Sequence, residues 1–247
     1  MRDTLARLQA RTAGQQPRMQ PIKHNRPMNT AASPRILVTG FEPFGGQRLN
    51  PSLEVARALD GEVIEGASVV GLELPCVFDQ ALVQLRAALA RHTPAVVLAL
   101  GQAEGRCDVS FERVAINVND ARIADNAGAQ PVDTPVMSGQ ANALFSTLPI
   151  KRLVAGLRAA GIPASVSSSA GTFVCNHVFY GLQQALDGQG VRSGFVHLPL
   201  LPVQAASWNS PSMPSMALDL QVQGIRLAAA LTLRHADDLA LAGGTLN

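Results

Sequence analysis

Short, unbroken apolar runs separated by stretches of helical periodicity leave this chain few folds to choose from. Arg-Ile-Leu-Val-Thr-Gly (35–40) and Ala-Val-Val-Leu-Ala-Leu-Gly (95–101) show no alternation of polar and apolar residues. Each therefore reads as a strand covered on both faces. Between them, Phe78, Leu82, Leu85 and Leu89 recur at spacings of three and four, which predicts an amphipathic helix over 78–92. Pro51 opens a short helix that turns Leu53, Val55, Ala56 and Leu59 inward. A strand or hairpin is expected over 62–74, strands over 109–118, 163–168 and 194–198, and helices over 150–160, 174–187 and within 215–234. A loop rich in Gly, Pro and Asp fills 125–140. The alternation predicts an α/β fold, a single-domain three-layer α/β/α sandwich with a largely parallel twisted sheet. Ligands of such sheets gather beyond the carboxyl ends of the strands, where Gly40, Gly101, Ala170 and His197 fall.

Composition narrows the function. Of 247 residues 47% are hydrophobic and 15% charged, enough apolar material for a real core, which we place at 35–247. The first 34 residues read instead as a flexible N-terminal extension, with six basic side chains against Asp3 and little to bury. Residues 2–12 have the weakly amphipathic, basic character of a transit peptide, and Met19 or Met28 would serve equally well as starts. The formal charge of +2 thus hides a body with 14 basic and 17 acidic residues, which argues against a nucleic-acid partner. No apolar run reaches eighteen residues, so no membrane span is expected. Three widely spaced cysteines, Cys76, Cys107 and Cys175, without a Cys-x-x-Cys pair, argue against a disulfide framework or zinc site. A cytoplasmic, reducing location fits, and no metal or cofactor is expected.

Cys175 lies where an apolar segment passes through small residues and a glycine into a helix, in Ser-Ala-Gly-Thr-Phe-Val-Cys-Asn (169–176). Unpaired N–H groups and partial positive charge at a helix start favour a thiolate there. A small buried hydrophobe is the plainer reading of the same residue. Among the histidines, His24, His92 and His235 sit in the tail or at helix ends, and His177 points about 200° away from Cys175 on the same helix. His197 ends an apolar strand just before Pro199, at the same edge as the Cys175 helix, as a base or as a core histidine. Glu112 interrupts the strand-like Val-Ser-Phe-Glu-Arg-Val-Ala-Ile; inward it demands a partner, outward it faces water or pairs with Arg113. Gly-Phe-Glu-Pro-Phe-Gly-Gly (40–46) is a ligand-approaching turn or simply a tight one, and fits neither the dinucleotide nor the phosphate-loop pattern.

Together these segments resemble the pyroglutamyl peptidase type I family, cysteine peptidases that remove N-terminal pyroglutamate. The resemblance is carried, in order, by residues 37–46 with Asn50-Pro51, Gly-Gln-Ala-Glu-Gly-Arg (101–106), Glu-Arg-Val-Ala-Ile-Asn-Val-Asn-Asp-Ala-Arg-Ile (112–123), Phe-Ser-Thr-Leu-Pro (145–149), 169–176, Gly-Phe-Val-His-Leu-Pro (194–199) and Pro-Ser-Met (211–213). It implies a triad of Cys175, His197 and Glu112, reacting through a thioester acyl-enzyme. It implies a pyroglutamate pocket walled by Phe41, Phe44, Phe173, Val174 and Ile123, with Asn50 supporting Gln102 and Arg122 near the reacting carbonyl. It also implies a homotetramer that needs no metal. Glu104, where a small residue is usual, and Ala124, where proline often follows Arg-Ile, depart from the pattern, as does the long N-terminal extension. Two other readings remain: a nucleoside or sugar phosphorylase that would require phosphate and ignore thiol alkylation, and a silent module that binds pyroglutamate without releasing product.

Overall fold

The computed structural model describes residues 33–208 and 213–244. The N-terminal extension up to residue 32 and the Pro211-Ser212 step of the last matching segment lie outside the described residues.

In chain order the elements are β1 (Arg35–Phe41), α1 (Pro51–Leu59), β2 (Val63–Ile64), β3 (Ala67–Leu74), α2 (Phe78–His92), β4 (Val96–Gln102), β5 (Val109–Glu112), β6 (Val114–Ile116) and β7 (Ala143–Phe145). They continue with α3 (Ile150–Ala159), β8 (Ala164–Ser167), α4 (Val174–Leu186), β9 (Arg192–Leu198), α5 (Pro202–Ala206) and α6 (Leu218–Arg234). Seven strands form one sheet in the order β2-β3-β1-β4-β9-β5-β8. β3, β1, β4 and β9 run parallel. β5 is antiparallel to β9, and β8 parallel to β5, so this edge pair runs against the centre. β2 is a short antiparallel edge, joined to β3 through Glu65 and Gly66 at φ 49° and 77°, the left-handed pair of a two-residue hairpin.

Period two sorts the strand residues into two cores. Ile36, Val38, Leu98, Leu100, Phe111, Val196 and Leu198 pack with α1, α3 and α6. Leu37, Phe41, Val97, Ala99 and Phe195 pack under α2 and α4. Helices on both faces explain why β4 is buried along its whole length, as its unbroken apolar run requires. α4 is buried over most of its circumference, the mark of a central helix. α1 starts where its sequence says it should: Asn50 Oδ1 accepts the Ser52 N–H at 3.1 Å and Pro51 occupies the first turn.

One expectation is corrected and two short elements are added. The strand over 109–118 is two strands, because the chain leaves the main sheet at Arg113 and β6 pairs with β7 in a separate two-stranded sheet. β7 and α5, three and five residues long, are too short for periodicity to reveal.

Candidate active site

The register of β9 builds the site. His197 is paired with Gly101 of β4 on one side and Ser110 of β5 on the other. Paired residues share a face, so period two puts Glu112 on the His197 face, one step deeper along the reversed strand β5. The Glu112 side chain is fully buried, and its Oε1 lies 2.7 Å from His197 Nδ1. A carboxylate acceptor there fixes the tautomer, with the proton on Nδ1 and the lone pair on Nε2. The open alternatives for Glu112 resolve inward, since Arg113 Nη2 donates instead to the Gly243 carbonyl at 3.2 Å.

Gly101, on the other side of His197, is where the thiol rests. A Cβ at this position would stand 2.9 Å from Cys175 Sγ and 2.8 Å from Phe195 Cζ, so only bare backbone leaves room for the sulfur. Among the described residues no hydrogen bond joins Sγ to the imidazole. The sulfur lies against Gly101 in space and His197 is paired with it in register, and the ring of His197 packs against Phe195 at 5.0 Å between centroids. Cys175 is the second residue of α4, so its N–H belongs to the unpaired first-turn donors of the helix. Asn176 anchors this turn from below, donating to the Ile116 and Val118 carbonyls at 2.8 and 3.0 Å and accepting the Ile116 N–H at 3.0 Å.

Burial acts against the thiolate that the helix start favours. Burial pushes the Cys175 thiol up to about 12, the Glu112 charge adds to the shift, and Arg106 opposes both. A helix terminus contributes at most about 2 kcal/mol, less than desolvating a thiolate. Burial thus opposes the helix start, and a thiol in this position is served by a nearby base.

In front of these groups opens a cleft of about 510 Å³, walled by Phe44, Gln102, Arg106, Arg122, Ile123 and Phe173, with His197 on its wall. Glu104, the residue that departs from the family pattern, is on the exposed rim. Gln102 is instructive: its Oε1 accepts from Gln204 Nε2 at 2.9 Å, while its own buried Nε2 has no partner among the described residues. The other pocket residues lie behind the wall. Phe41 and Val174 are buried in the core of the α2 and α4 side. Asn50 is committed to capping α1 and to the Glu42 carbonyl at 3.2 Å. The side chain that reaches Gln102 is Gln204, which also donates to the Leu49 carbonyl at 3.1 Å and so ties the Asn50 segment to Gln102 at one remove.

The remaining candidates serve packing. His177 is buried, its Nδ1 is 3.0 Å from Asn119 Oδ1, and burial lowers its pKa to about 4, so it is a neutral core histidine. Gly40 admits α1: a Cβ there would lie 2.2 Å from the Ser52 carbonyl oxygen. Cys76 is buried and Cys107 exposed. A second groove, about 410 Å³ around Arg86, Leu89, Leu186 and Val191, has no acid, imidazole or thiol on its walls. Arg106 and Gln204 escaped the sequence reading. The signal for Arg106 was present: an isolated cation in the turn between two buried strands, just ahead of an acid that needs a partner.

The model of the family described as pyroglutamyl peptidase matches residues 34–235. The chain is 55% identical over 216 residues to pyrrolidone-carboxylate peptidase 1 of Ralstonia nicotianae, covering 87% of this chain and all of that one. It is 56% identical over 215 residues to the pyrrolidone-carboxylate peptidase of Cupriavidus pinatubonensis, covering 86% and 99%. Among solved structures, pyroglutamyl peptidase I of Bacillus amyloliquefaciens superposes with a TM-score of 0.82 at 42% identity, covering 85% of this chain and 100% of that one. Pyrrolidone carboxyl peptidase of Thermococcus litoralis gives 0.82 at 35%, covering 85% and 99%.

Proposed function

This chain belongs to the pyroglutamyl peptidase family and is a cysteine peptidase that removes N-terminal pyroglutamate, and we propose that Cys175, His197 and Glu112 carry the reaction. The observation that supports this assignment is the 2.7 Å Glu112–His197 contact set against a thiol lodged on Gly101, the register partner of His197.

As Sγ bonds to the pyroglutamyl carbonyl carbon, its proton passes to His197 Nε2. The Cys175 N–H, with Arg122 beside the cleft, meets the oxyanion. His197 then gives the proton to the leaving amine as the C–N bond breaks, leaving a thioester. Water attacks the thioester, its proton moves through His197, and Sγ departs to recover a proton. Glu112 holds the imidazole and balances its charge while it is protonated. The flat lactam suits the aromatic and aliphatic walls Phe44, Phe173 and Ile123, with Phe41 and Val174 as backing and the Asn50 segment behind Gln102. The unpartnered Gln102 amide supplies a donor for the ring carbonyl. Proline lacks that carbonyl and would leave the donor buried and unsatisfied, which is a strong ground for selection.

The test is hydrolysis of a pyroglutamyl-amide reporter. Cys175→Ala and His197→Ala lose turnover, His177→Ala keeps most of it, and Glu112→Gln lowers kcat more than it lowers stability. Because Cys107 is also exposed to alkylation, iodoacetamide is applied to Cys107→Ser, which should still be inactivated. Wild-type rates in Cys175→Ala, or a requirement for phosphate, would overturn the assignment. We further infer a homotetramer, supported by the family resemblance and read by light scattering, and a cytoplasmic location, supported by the three unpaired cysteines. Among the described residues no helix is long and apolar enough to cross a membrane.

A further inference from the structure

The buried carboxylate of Glu112 meets two nitrogen-bearing side chains, and the reaction as drawn uses one. Arg106 Nη2 stands 3.0 Å from Glu112 Oε1, the oxygen that His197 Nδ1 also meets, while Oε2 has no hydrogen-bond partner among the described residues. The guanidinium arrives from the turn between β4 and β5, where Gly105 takes φ 80° and the Arg106 N–H bonds back to the Ala103 carbonyl at 3.4 Å. Nη2 also donates at 3.2 Å to the Ser169 carbonyl, in the segment that leads into Cys175. One side chain thus joins the acid, the ring held by that acid and the approach to the nucleophile.

A carboxylate with no exposed surface is strongly disfavoured unless a positive group accompanies it. His197 cannot be that group throughout, because a base must begin the cycle without its proton. A fixed cation resolves the conflict, and arginine keeps its charge at any working pH. We propose that Arg106 is a positioning residue of the hydrolytic site, fixing the Glu112 carboxylate beneath His197 and supplying the permanent positive charge that lets the imidazole start each turnover unprotonated. The proposal rests on the assignment of Cys175, His197 and Glu112 made above.

Other charged or titratable groups near this cluster are Cys175 at the start of α4, Asp120 and Arg122 after β6, and Glu104 in the Arg106 turn. Asp108 faces the Ser110 and Ser165 hydroxyls at 2.8 and 3.0 Å. Substituting Arg106 leaves all of these in place. Without the guanidinium, the imidazole is the one remaining side chain in contact with Glu112 that can counter its charge.

The experiment is the pH profile of kcat/KM on the pyroglutamyl-amide reporter for wild type, Arg106→Gln and Arg106→Lys. Arg106→Gln should move the acid limb up by about one pH unit, with KM little changed. Arg106→Lys, which keeps a cation, should hold the limb within about 0.3 unit of wild type. An unmoved limb with a raised KM would show that Arg106 grips substrate instead, and unaltered kinetics would remove any role. Should Arg106→Gln fail to fold, the double variant Glu112→Gln/Arg106→Gln removes both charges together. It should match Glu112→Gln alone, and a further loss above about threefold overturns the proposal. A wild type inactive on the reporter would instead overturn the hydrolytic reading itself; an active wild type with an unmoved limb in Arg106→Gln removes the Arg106 role alone.

Discussion

Gly101→Ala is the smallest change that asks whether bare backbone sets the position of the sulfur. The added Cβ would sit 2.9 Å from Cys175 Sγ, 2.8 Å from Phe195 Cζ and 2.9 Å from Phe195 Cε1. Ordinary van der Waals contact begins near 3.4 Å, so each neighbour must recede by about 0.5 Å. Phe195 is held among Phe41, Phe179 and His197 at centroid distances of 6.4, 6.0 and 5.0 Å and has little freedom to swing. The thiol, a single rotor at a helix end, takes most of the displacement. Overpacking of this size costs about 1–3 kcal/mol of stability, or about 2–4 °C in Tm for each kcal/mol in a chain of this length. Moving a nucleophile by half an ångström or more lowers kcat roughly 10- to 100-fold. KM should stay near wild type, because the substitution touches none of the Phe44, Phe173 and Ile123 walls. Reporter kinetics and a thermal melt on the same preparation separate the two effects. A folded Gly101→Ala enzyme with kcat within about twofold of wild type would refute the placement of the reacting sulfur on Gly101.

His177 makes stability depend on pH. Its folded pKa, about 4, lies below the ordinary 6.5, so between these values the unfolded chain binds the extra proton and stability falls as pH drops. The contribution is complete above about pH 6.5 and its loss amounts to on the order of 3 kcal/mol by pH 4; denaturant melts of His177→Gln should show a shallower decline, and an unchanged slope would clear His177 of it. Gly224 lies inside α6, where a Cβ would make ordinary contacts of 3.5–3.6 Å with Ile162, Leu157 and Val109. Gly224→Ala should therefore raise stability by about 1 kcal/mol, and a lowered Tm would contradict the packing described.

The apolar runs made most of the sheet and its helices readable, because burial on both faces leaves no room for polar alternation. Cys175 and His197 were readable from position: one follows a run of small residues into a helix, the other ends a strand before Pro199. Glu112 was not, since its direction depends on where the chain changes sheets. Counting by twos through 109–118 continues undisturbed past Arg113, where the backbone departs for β6. The reversal of β5 and β8 was equally hidden, because direction follows from connections and not from the composition of a strand. Burial of the thiol by residues remote in sequence opposes the favourable helix start, and no local pattern shows it. Arg106 stands out only when Glu112 is read as inward and a cation is sought for it.

The reversed edge strand has a consequence for folding. Glu112 and His197 are 85 positions apart and meet only through the antiparallel seam between β5 and β9. Contacts of such separation carry a large loop-closure entropy and form late. If Glu112 and His197 act as proposed, a fragment ending before β9 lacks the imidazole and should be inactive, and fraying of that seam should silence turnover. Turnover is thus a stricter gauge of a finished molecule than helix content, and in partial denaturant its disappearance should precede the circular-dichroism transition.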